Sequence, residues 1–310
     1  MKGKGGVNAS TIGFVKGARF MNCVLKNDQL TVTLSTHGAE IISVKRGDCE
    51  YIWQGDPAYW KGQSPLMFPI CGRFVDQTYT YGGKTYQMGT HGFARHSDFA
   101  VLSATDTQAV FLLESSDETR AQYPFEFALT VTYCLEGDRV TVTANIRNTG
   151  EEILPATFGG HPGFNVPLDG KGEFSDWYLE FGEDCSPDEI LMSPACFITG
   201  KRRGYPLKDG KILPLRHDLF MIDGVFMARL ADTVTLKSAA SDRSVTLRYP
   251  QMPYVGVWHA PRTDAPYVCV EPWCGLPAYD GTLEDISQKP DMFRILPGRD
   301  KNVGFSIAFD

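Results

Sequence analysis

The chain lacks the features that mark a membrane or secreted protein. None of its 310 residues lies in an apolar run near the ~18 residues that a transmembrane helix needs. The start of the sequence has no apolar core of a secretory signal. The eight cysteines form no C-x-x-C pair, and a chain of this length buries a core without disulfides. We therefore expect free thiols, no membrane partner and a cytoplasmic location.

Signals for nucleic acids, nucleotides and metals are also missing. The net charge is −7 and the 30 lysines and arginines are scattered, so nucleic acid is not expected as a partner. Gly83-Lys84-Thr85 resembles the end of a phosphate loop, but Thr78 stands where that loop needs glycine. His91 and His96 have no metal-site spacing, and no G-x-S-x-G is present. We expect no bound metal and no hydrolase elbow.

Amphipathic helices are nearly absent, apart from one or two turns near residues 56–60 and 116–122. Strand-like alternation instead recurs along the chain. It is clearest from Phe125 to Leu135 and from Val140 to Ile146, around a turn at Glu136-Gly137-Asp138, which predicts a hairpin of long, half-buried strands. Tyr79 to Tyr86 predicts a second hairpin, around Gly82-Gly83. The pattern predicts an all-β fold, a large antiparallel sandwich built as a single domain over residues 21–310.

Residues 1–20 are rich in glycine and lysine and have no sustained periodicity. We interpret them as a flexible N-terminal extension, with Met21 as a candidate natural start. Intact mass of the native protein tests this.

Four short segments place ionisable side chains among apolar residues and glycines. They are FPICGR ending at Arg73, HGFAR from His91 to Arg95, GGHPGFN around His161, and VEPW around Glu271. A glutamate at the end of an apolar strand is expected to be partly buried and to have a raised pKa. A histidine between glycines and a proline is held in an open corner of the backbone, and it can exchange a proton near neutral pH. Each residue alone also has a structural explanation, as a surface ion pair or a satisfied core histidine.

The order and spacing of these segments resemble the aldose 1-epimerase (mutarotase) family, in its LacX-like branch, over about residues 21–310. The resemblance implies the β supersandwich of galactose mutarotase. It also implies a reaction that interconverts the α and β anomers of a hexose or related aldose. In that reaction Glu271 acts as general base on the anomeric hydroxyl and His161 as general acid on the ring oxygen. This chemistry needs no metal or organic cofactor.

The resemblance further implies three residues that bind the sugar: Arg73, His91 and an aspartate before a later strand. For Arg73 an ordinary ion pair with Asp76 is the alternative. For the aspartate the candidates are Asp223 and Asp218, of which we prefer Asp223 because a strand follows it directly. We also expect Trp273 or Phe93 to offer an aromatic face to the sugar.

Arg95 is a candidate for binding a phosphate group, as in relatives that act on sugar phosphates, with Lys84 as a helper. Hexose-6-phosphate 1-epimerase is therefore an alternative function. A non-catalytic carbohydrate-binding protein on the same fold is another. A glycosidase pair formed by Glu271 and Asp223 leaves His161 without a purpose. The expected partner is a small sugar, bound by a monomer or homodimer.

Overall fold

The computed structural model describes residues 21–310, and the predicted extension lies outside them. The described part contains 25 strands, one α-helix and four short 3-10 segments. The strands are β1 (Asn22–Lys26), β2 (Thr31–Ser35), β3 (Ile41–Arg46), β4 (Cys49–Glu50), β5 (Leu66–Met67), β6 (Thr78–Tyr81), β7 (Lys84–Gln87), β8 (Ala100–Ala104), β9 (Gln108–Glu114), β10 (Phe127–Glu136), β11 (Arg139–Asn148), β12 (Leu154–Ala156), β13 (Gly159–Gly160), β14 (Gly163–Asn165), β15 (Trp177–Phe181), β16 (Asp188–Met192), β17 (Ile198–Gly204), β18 (Ile212–Pro214), β19 (Val225–Ala228), β20 (Thr233–Ser238), β21 (Val245–Arg248), β22 (Tyr254–Trp258), β23 (Tyr267–Trp273), β24 (Phe293–Ile295) and β25 (Asp300–Phe309). The helix is α1 (Asp117–Gln122), and the 3-10 segments are Val75–Gln77, Ala94–His96, Phe174–Asp176 and His217–Phe220.

Two large sheets dominate the molecule. The first has nine strands in the order β18-β15-β20-β21-β25-β11-β10-β9-β8. The second has eight, in the order β17-β16-β19-β22-β23-β13-β5, with β14 also paired to β23. Both contribute side chains to one hydrophobic cluster, for example Val142 and Ile307 from the first and Val268 and Val270 from the second. The predicted single-domain all-β sandwich is confirmed.

The predicted long hairpin is formed by β10 and β11. Its register pairs Phe127 with Asn148 and Glu136 with Arg139, so the chain turns at residues 137–138. Along β10, buried and partly exposed residues alternate from Phe127 to Leu135. The period of two in the sequence is therefore the buried face of a real strand.

The other local predictions also have counterparts in the structure. β6 and β7 pair around Gly82 and Gly83, whose φ angles are +57° and +75°, a backbone that glycine adopts without steric cost. The helix α1 begins after Ser116, whose hydroxyl accepts the N–H of Thr119. Near residues 56–60 there is a single turn, closed by the N–H of Trp60 on the carbonyl of Asp56.

All eight cysteines are free thiols, as predicted. No helix in residues 21–310 is long and apolar enough to cross a membrane.

Candidate active site

Strand β23 separates the core from the candidate site. All seven of its residues are buried, but successive side chains of a strand point to opposite faces. Val268 and Val270 pack into the main core, whereas Cys269 and Trp273 belong to two smaller clusters on the other side. Glu271 has the same parity as Cys269 and Trp273, so it shares their face.

The pairing of β23 with its neighbour brings His161 to Glu271. Gly159 of β13 pairs with Trp273, and Gly163 of β14 pairs with Cys269. His161 lies midway between Gly159 and Gly163, and Glu271 lies midway between Cys269 and Trp273. The two pairings therefore place His161 opposite Glu271. A side chain at position 159 would crowd its neighbours, because a Cβ there would lie 2.5 Å from the methyl group of Met67 and 3.1 Å from the carbonyl oxygen of Pro272. The glycines of the GGHPG segment thus permit the close approach that holds the histidine in place.

The Nε2 atom of His161 lies 3.2 Å from Oε1 of Glu271. Both residues are buried, with 6% and 1% of their surface exposed. The other carboxylate oxygen of Glu271 accepts a hydrogen bond of 3.1 Å from the indole N–H of Trp273. The two groups predicted to act as acid and base are therefore side by side, rather than across a groove from one another.

Burial shifts the pKa values of the two groups in opposite directions. It raises the pKa of Glu271 well above the usual range, and the nearby charge of Asp223 raises it further. It lowers the pKa of His161 to about 3, with Arg95 acting in the same direction. Desolvation favours the uncharged form of each group. Burial therefore favours a neutral carboxyl and a neutral imidazole, which together hold one ionisable proton as a coupled pair.

The ring of His161 is fixed mainly by aromatic packing. Its centroid lies 4.9 Å from the indole of Trp60 and 5.6 Å from that of Trp258. Its Nδ1 atom has no hydrogen-bond partner within residues 21–310 beyond its own backbone carbonyl. The contact with Glu271 is thus the polar contact that defines its orientation.

His91 is held in one tautomer. Its φ is +64°, and its Nδ1 accepts the backbone N–H of Gly72 at 3.0 Å. Burial, with His161 next, lowers the pKa of His91 well below the usual value, so the ring is neutral. Since Nδ1 accepts, Nε2 carries the hydrogen and can donate to a ligand. The next residue, Gly92, is packed so closely that a Cβ would lie 2.2 Å from the carbonyl oxygen of Phe68.

These side chains line one cavity of about 330 Å³, a size typical of small-molecule sites. The sequence-predicted residues on its wall are Arg73, His91, Arg95, His161, Asp223, Glu271 and Trp273.

Arg73 and Arg95 reach the cavity without partners in the described part of the chain. Neither guanidinium forms an ion pair or hydrogen bond there, so the alternative pairing of Arg73 with Asp76 is wrong. Burial lowers the pKa of Arg95, while the charges of Glu40 and Glu271 oppose that shift. Two unpaired cationic groups are therefore available to a ligand.

The structure distinguishes the two candidate aspartates. Asp223 lies on the cavity wall shortly before β19. Asp218 lies in the 3-10 segment His217–Phe220, where its carboxylate accepts the Nε–H of Arg216 at 2.9 Å and is 67% exposed. Asp223, the candidate preferred from the sequence, thus lies on the cavity wall, whereas Asp218 does not.

Two residues named from the sequence lie elsewhere. Phe93 packs into the core against Phe68 and Phe127, and it does not line the cavity. Lys84 is exposed on the β6–β7 hairpin and is also absent from the cavity wall. A helper role for Lys84 at this site is therefore wrong, because the hairpin turn directs it to solvent.

Sequence reasoning missed several wall residues: Trp60, Thr90, Met192, Cys196, Ile222, Phe226, Trp258 and Pro261. Tryptophan and phenylalanine in strand patterns are typical of core residues, so nothing in their spacing distinguishes a cavity wall. Among these residues is Cys196, whose pKa is raised to about 11 by burial and by the adjacent Asp223, which keeps it a thiol.

One group of potential metal ligands is present among the described residues. Ligand atoms of His161, Cys269 and Glu271 all lie within 4.8 Å of one another. Two of these three side chains, His161 and Glu271, already form the 3.2 Å contact described above.

Comparison with known proteins identifies the family. The model of the aldose 1-epimerase family matches residues 21–279. This chain belongs to the aldose 1-epimerase family. Within it, the chain is 31% identical to the plasmid-encoded protein LacX of Lactococcus lactis subsp. lactis over 290 residues, which cover 89% of this chain and 95% of LacX. It lies in the LacX-like branch.

Solved structures of aldose 1-epimerase type share the fold over nearly the whole chain. A galactose mutarotase related enzyme from Lactobacillus acidophilus has a TM-score of 0.89 and 34% identity, and the match covers 94% of this chain and 97% of that one. A galactose mutarotase-like protein from Lactobacillus casei has a TM-score of 0.88 and 30% identity, with 93% and 100% covered. The family resemblance stated from the four sequence segments is confirmed.

Proposed function

We propose that this protein is an aldose 1-epimerase that interconverts the anomers of an aldose by opening and closing the sugar ring. The observation that carries the proposal is the 3.2 Å contact between His161 and Glu271 on the wall of the cavity. The anomeric hydroxyl oxygen and the ring oxygen of an aldose are bonded to the same carbon. A base and an acid that lie side by side can therefore reach both oxygens of one substrate.

Ring opening needs the charged form of the pair. The carboxylate of Glu271 takes the proton of the anomeric hydroxyl, while the imidazolium of His161 gives its proton to the ring oxygen. The bond between C1 and the ring oxygen breaks, and the electron pair of the O–H bond forms the aldehyde C=O. Rotation about the C1–C2 bond then presents the other face, and the same two groups reverse their roles. General acid and base catalysis of this kind contributes about 10²- to 10⁴-fold.

The electrostatics of the site fit this sequence of steps. After ring opening, Glu271 is a neutral carboxyl and His161 a neutral imidazole. Burial favours that same neutral pair, so it stabilises the state that holds the open-chain aldehyde. The indole N–H of Trp273 acts in the opposite sense, because its hydrogen bond lowers the pKa of Glu271. This matters because a Glu271 that stayed protonated could not accept the proton of the anomeric hydroxyl.

The remaining polar side chains would orient the sugar. His91 offers its Nε2–H, since Nδ1 is occupied by the N–H of Gly72. Arg73 offers N–H groups and Asp223 accepts from a hydroxyl. Holding a substrate by several fixed groups lowers the entropic part of the barrier.

A second candidate function, the epimerisation of a hexose 6-phosphate, is favoured by Arg95. Its guanidinium lines the cavity and has no ion-pair partner within residues 21–310, and a phosphate is a good partner for such a group. A binding protein without turnover is a third reading. It has no use for a proton-sharing pair at the cavity.

The test is NMR measurement of anomer exchange on a panel of aldoses and aldose 6-phosphates, with and without protein. We expect accelerated exchange for at least one sugar. Glucose, galactose and their 6-phosphates are the first pairs to compare. Sugar binding without any acceleration would contradict the proposal and favour the binding protein.

Arg95→Gln separates the neutral and phosphorylated substrates. If a 6-phosphate is the substrate, this variant should lose about tenfold or more in kcat/KM for the phosphate and little for the neutral sugar. The matched control is Arg216→Gln, whose guanidinium pairs with Asp218 on the surface. Equal losses for both substrates in Arg95→Gln would count against the phosphate.

A further inference from the structure

Glu40 is a partly exposed residue whose carboxylate is directed into the protein rather than into the cavity. It lies in the turn between β2 and β3. Its Oε1 atom accepts two backbone hydrogen bonds, from the N–H of Gln63 at 3.0 Å and from the N–H of Ser64 at 2.6 Å. One carboxylate oxygen thus fixes two consecutive peptide groups of the segment before β5.

The segment that Glu40 fixes is the one that holds the backbone around His161. The carbonyl of Gln63 accepts the N–H of Gly163 at 2.8 Å, and the carbonyl of Pro65 accepts the N–H of His161 at 3.0 Å. Peptide N–H and C=O groups alternate along this segment. The side chain of Glu40 accepts from the N–H groups of Gln63 and Ser64. The N–H groups of the His161–Gly163 segment donate to the carbonyls of Gln63 and Pro65.

The same turn also contacts the segment that carries Arg95. The N–H of Gly38 donates to the carbonyl of Ser97 at 2.8 Å. Gly38 has a φ of +70°, and a Cβ there would lie 3.1 Å from the carbonyl oxygen of Arg95. The turn is therefore packed between two segments that supply side chains to the cavity.

We propose that Glu40 is a positioning residue, which sets the place of the His161 imidazole through the backbone of residues 63–65. This inference rests on the proposed function, and Glu40 itself touches neither the sugar nor the reacting atoms. A displacement of about 1 Å of a catalytic group can cost about a hundredfold in rate. Loss of the Glu40 contacts should therefore lower kcat more than it raises KM.

The test compares Glu40→Ala with Glu40→Gln. Glutamine keeps an oxygen at the position of Oε1, so it should retain kcat within a few-fold. Alanine leaves two peptide N–H groups without their acceptor, and kcat should fall by about ten- to a hundredfold. Rescue by glutamine distinguishes positioning from a need for the charge. If Glu40→Ala does not fold, Glu40→Asp, which is one methylene too short, gives the same comparison.

Asn27 provides a matched control. Its Oδ1 also accepts two backbone N–H groups, those of Gln29 and Leu30, but in the turn between β1 and β2, away from the residues that hold His161. We expect Asn27→Ala to lower the melting temperature and to leave kcat within a few-fold. An equal fall of kcat in the two alanine variants would contradict a specific role for Glu40.

Amide hydrogen exchange gives a readout that does not depend on turnover. The N–H groups of His161 and Gly163 should exchange faster in Glu40→Ala than in Glu40→Gln or Asn27→Ala. Unchanged exchange and unchanged kcat in Glu40→Ala would overturn the inference. If the unmodified protein accelerates no aldose, the proposed function fails, while the exchange measurement still tests the positioning by Glu40.

Discussion

The indole N–H of Trp273 donates a 3.1 Å hydrogen bond to Oε2 of Glu271, two residues earlier on the same strand. The alternation of a strand puts both side chains on one face. The bond stabilises the charged carboxylate and lowers the pKa of Glu271 against the effect of burial. Trp273 thereby keeps the proposed base usable in a buried site.

Trp273→Phe should therefore reduce kcat while the fold is retained. Hydrogen bonds to charged groups contribute about 1.5–3 kcal/mol, so a loss of about tenfold or more is expected. The measurement is kcat for the best sugar of the panel. Trp177→Phe is the control, because the Trp177 indole donates to the carbonyl of Lys171 outside the cavity wall. Unchanged kcat in Trp273→Phe would show that the bond does not tune the base.

The pH dependence of kcat/KM should be flat through the neutral range. Because the pKa of Glu271 is raised and that of His161 is lowered to about 3, the pair holds one proton between those limits. The charged and the neutral forms of the pair contain the same number of protons, so their ratio does not depend on pH. We expect a plateau through neutral pH, which begins above the His161 pKa of about 3.

The rate should fall at more acidic pH, where the pair takes up a second proton, and at alkaline pH, where it loses its last one. The measurement is kcat/KM corrected for the spontaneous reaction at each pH. If log(kcat/KM) changed by one unit per pH unit across neutrality, a single group would be titrating there, which would contradict the shared proton.

Asp223→Asn and Asp218→Asn form a matched pair for sugar binding. Asp223 lines the cavity, so its amide variant should raise KM by about tenfold, the effect of losing a hydrogen bond to a charged group. It also removes a charge that raises the pKa of Glu271, so the alkaline limb should move to lower pH. Asp218→Asn should leave KM and the position of the alkaline limb unchanged. A higher KM in Asp218→Asn alone would reverse the assignment.

Local patterns in the sequence were sufficient to predict the two hairpins and the four site segments. The period of two from Phe127 to Leu135 arises because one face of the strand is buried. Each buried position requires an apolar residue, so the pattern can be read from the local sequence. The glycines around His161 and the apolar run before Glu271 are local signals in the same sense. These features, with the family resemblance, placed seven residues that the structure brings to one cavity.

The rest depends on long-range pairing that one sequence does not encode in any local pattern. The side-by-side contact of His161 and Glu271 follows from the register of β13 and β14 on β23. The hydrogen bonds of Glu40 join a turn near residue 40 to peptide groups more than twenty residues later. Trp60 and Trp258 pack on His161 from two further elements. None of these contacts leaves a periodic signal.

The central claim is that Glu271 removes the proton that opens the ring, and Glu271→Gln tests it most directly. Polarimetry on a freshly dissolved pure anomer gives the rate, and calorimetric sugar binding gives the affinity of the same sample. We expect acceleration to fall by about a hundredfold or more, with binding and melting temperature largely kept, since the amide has nearly the shape of the neutral carboxyl that burial favours. A Glu271→Gln protein that equilibrates the anomers as fast as the unmodified protein would contradict the account.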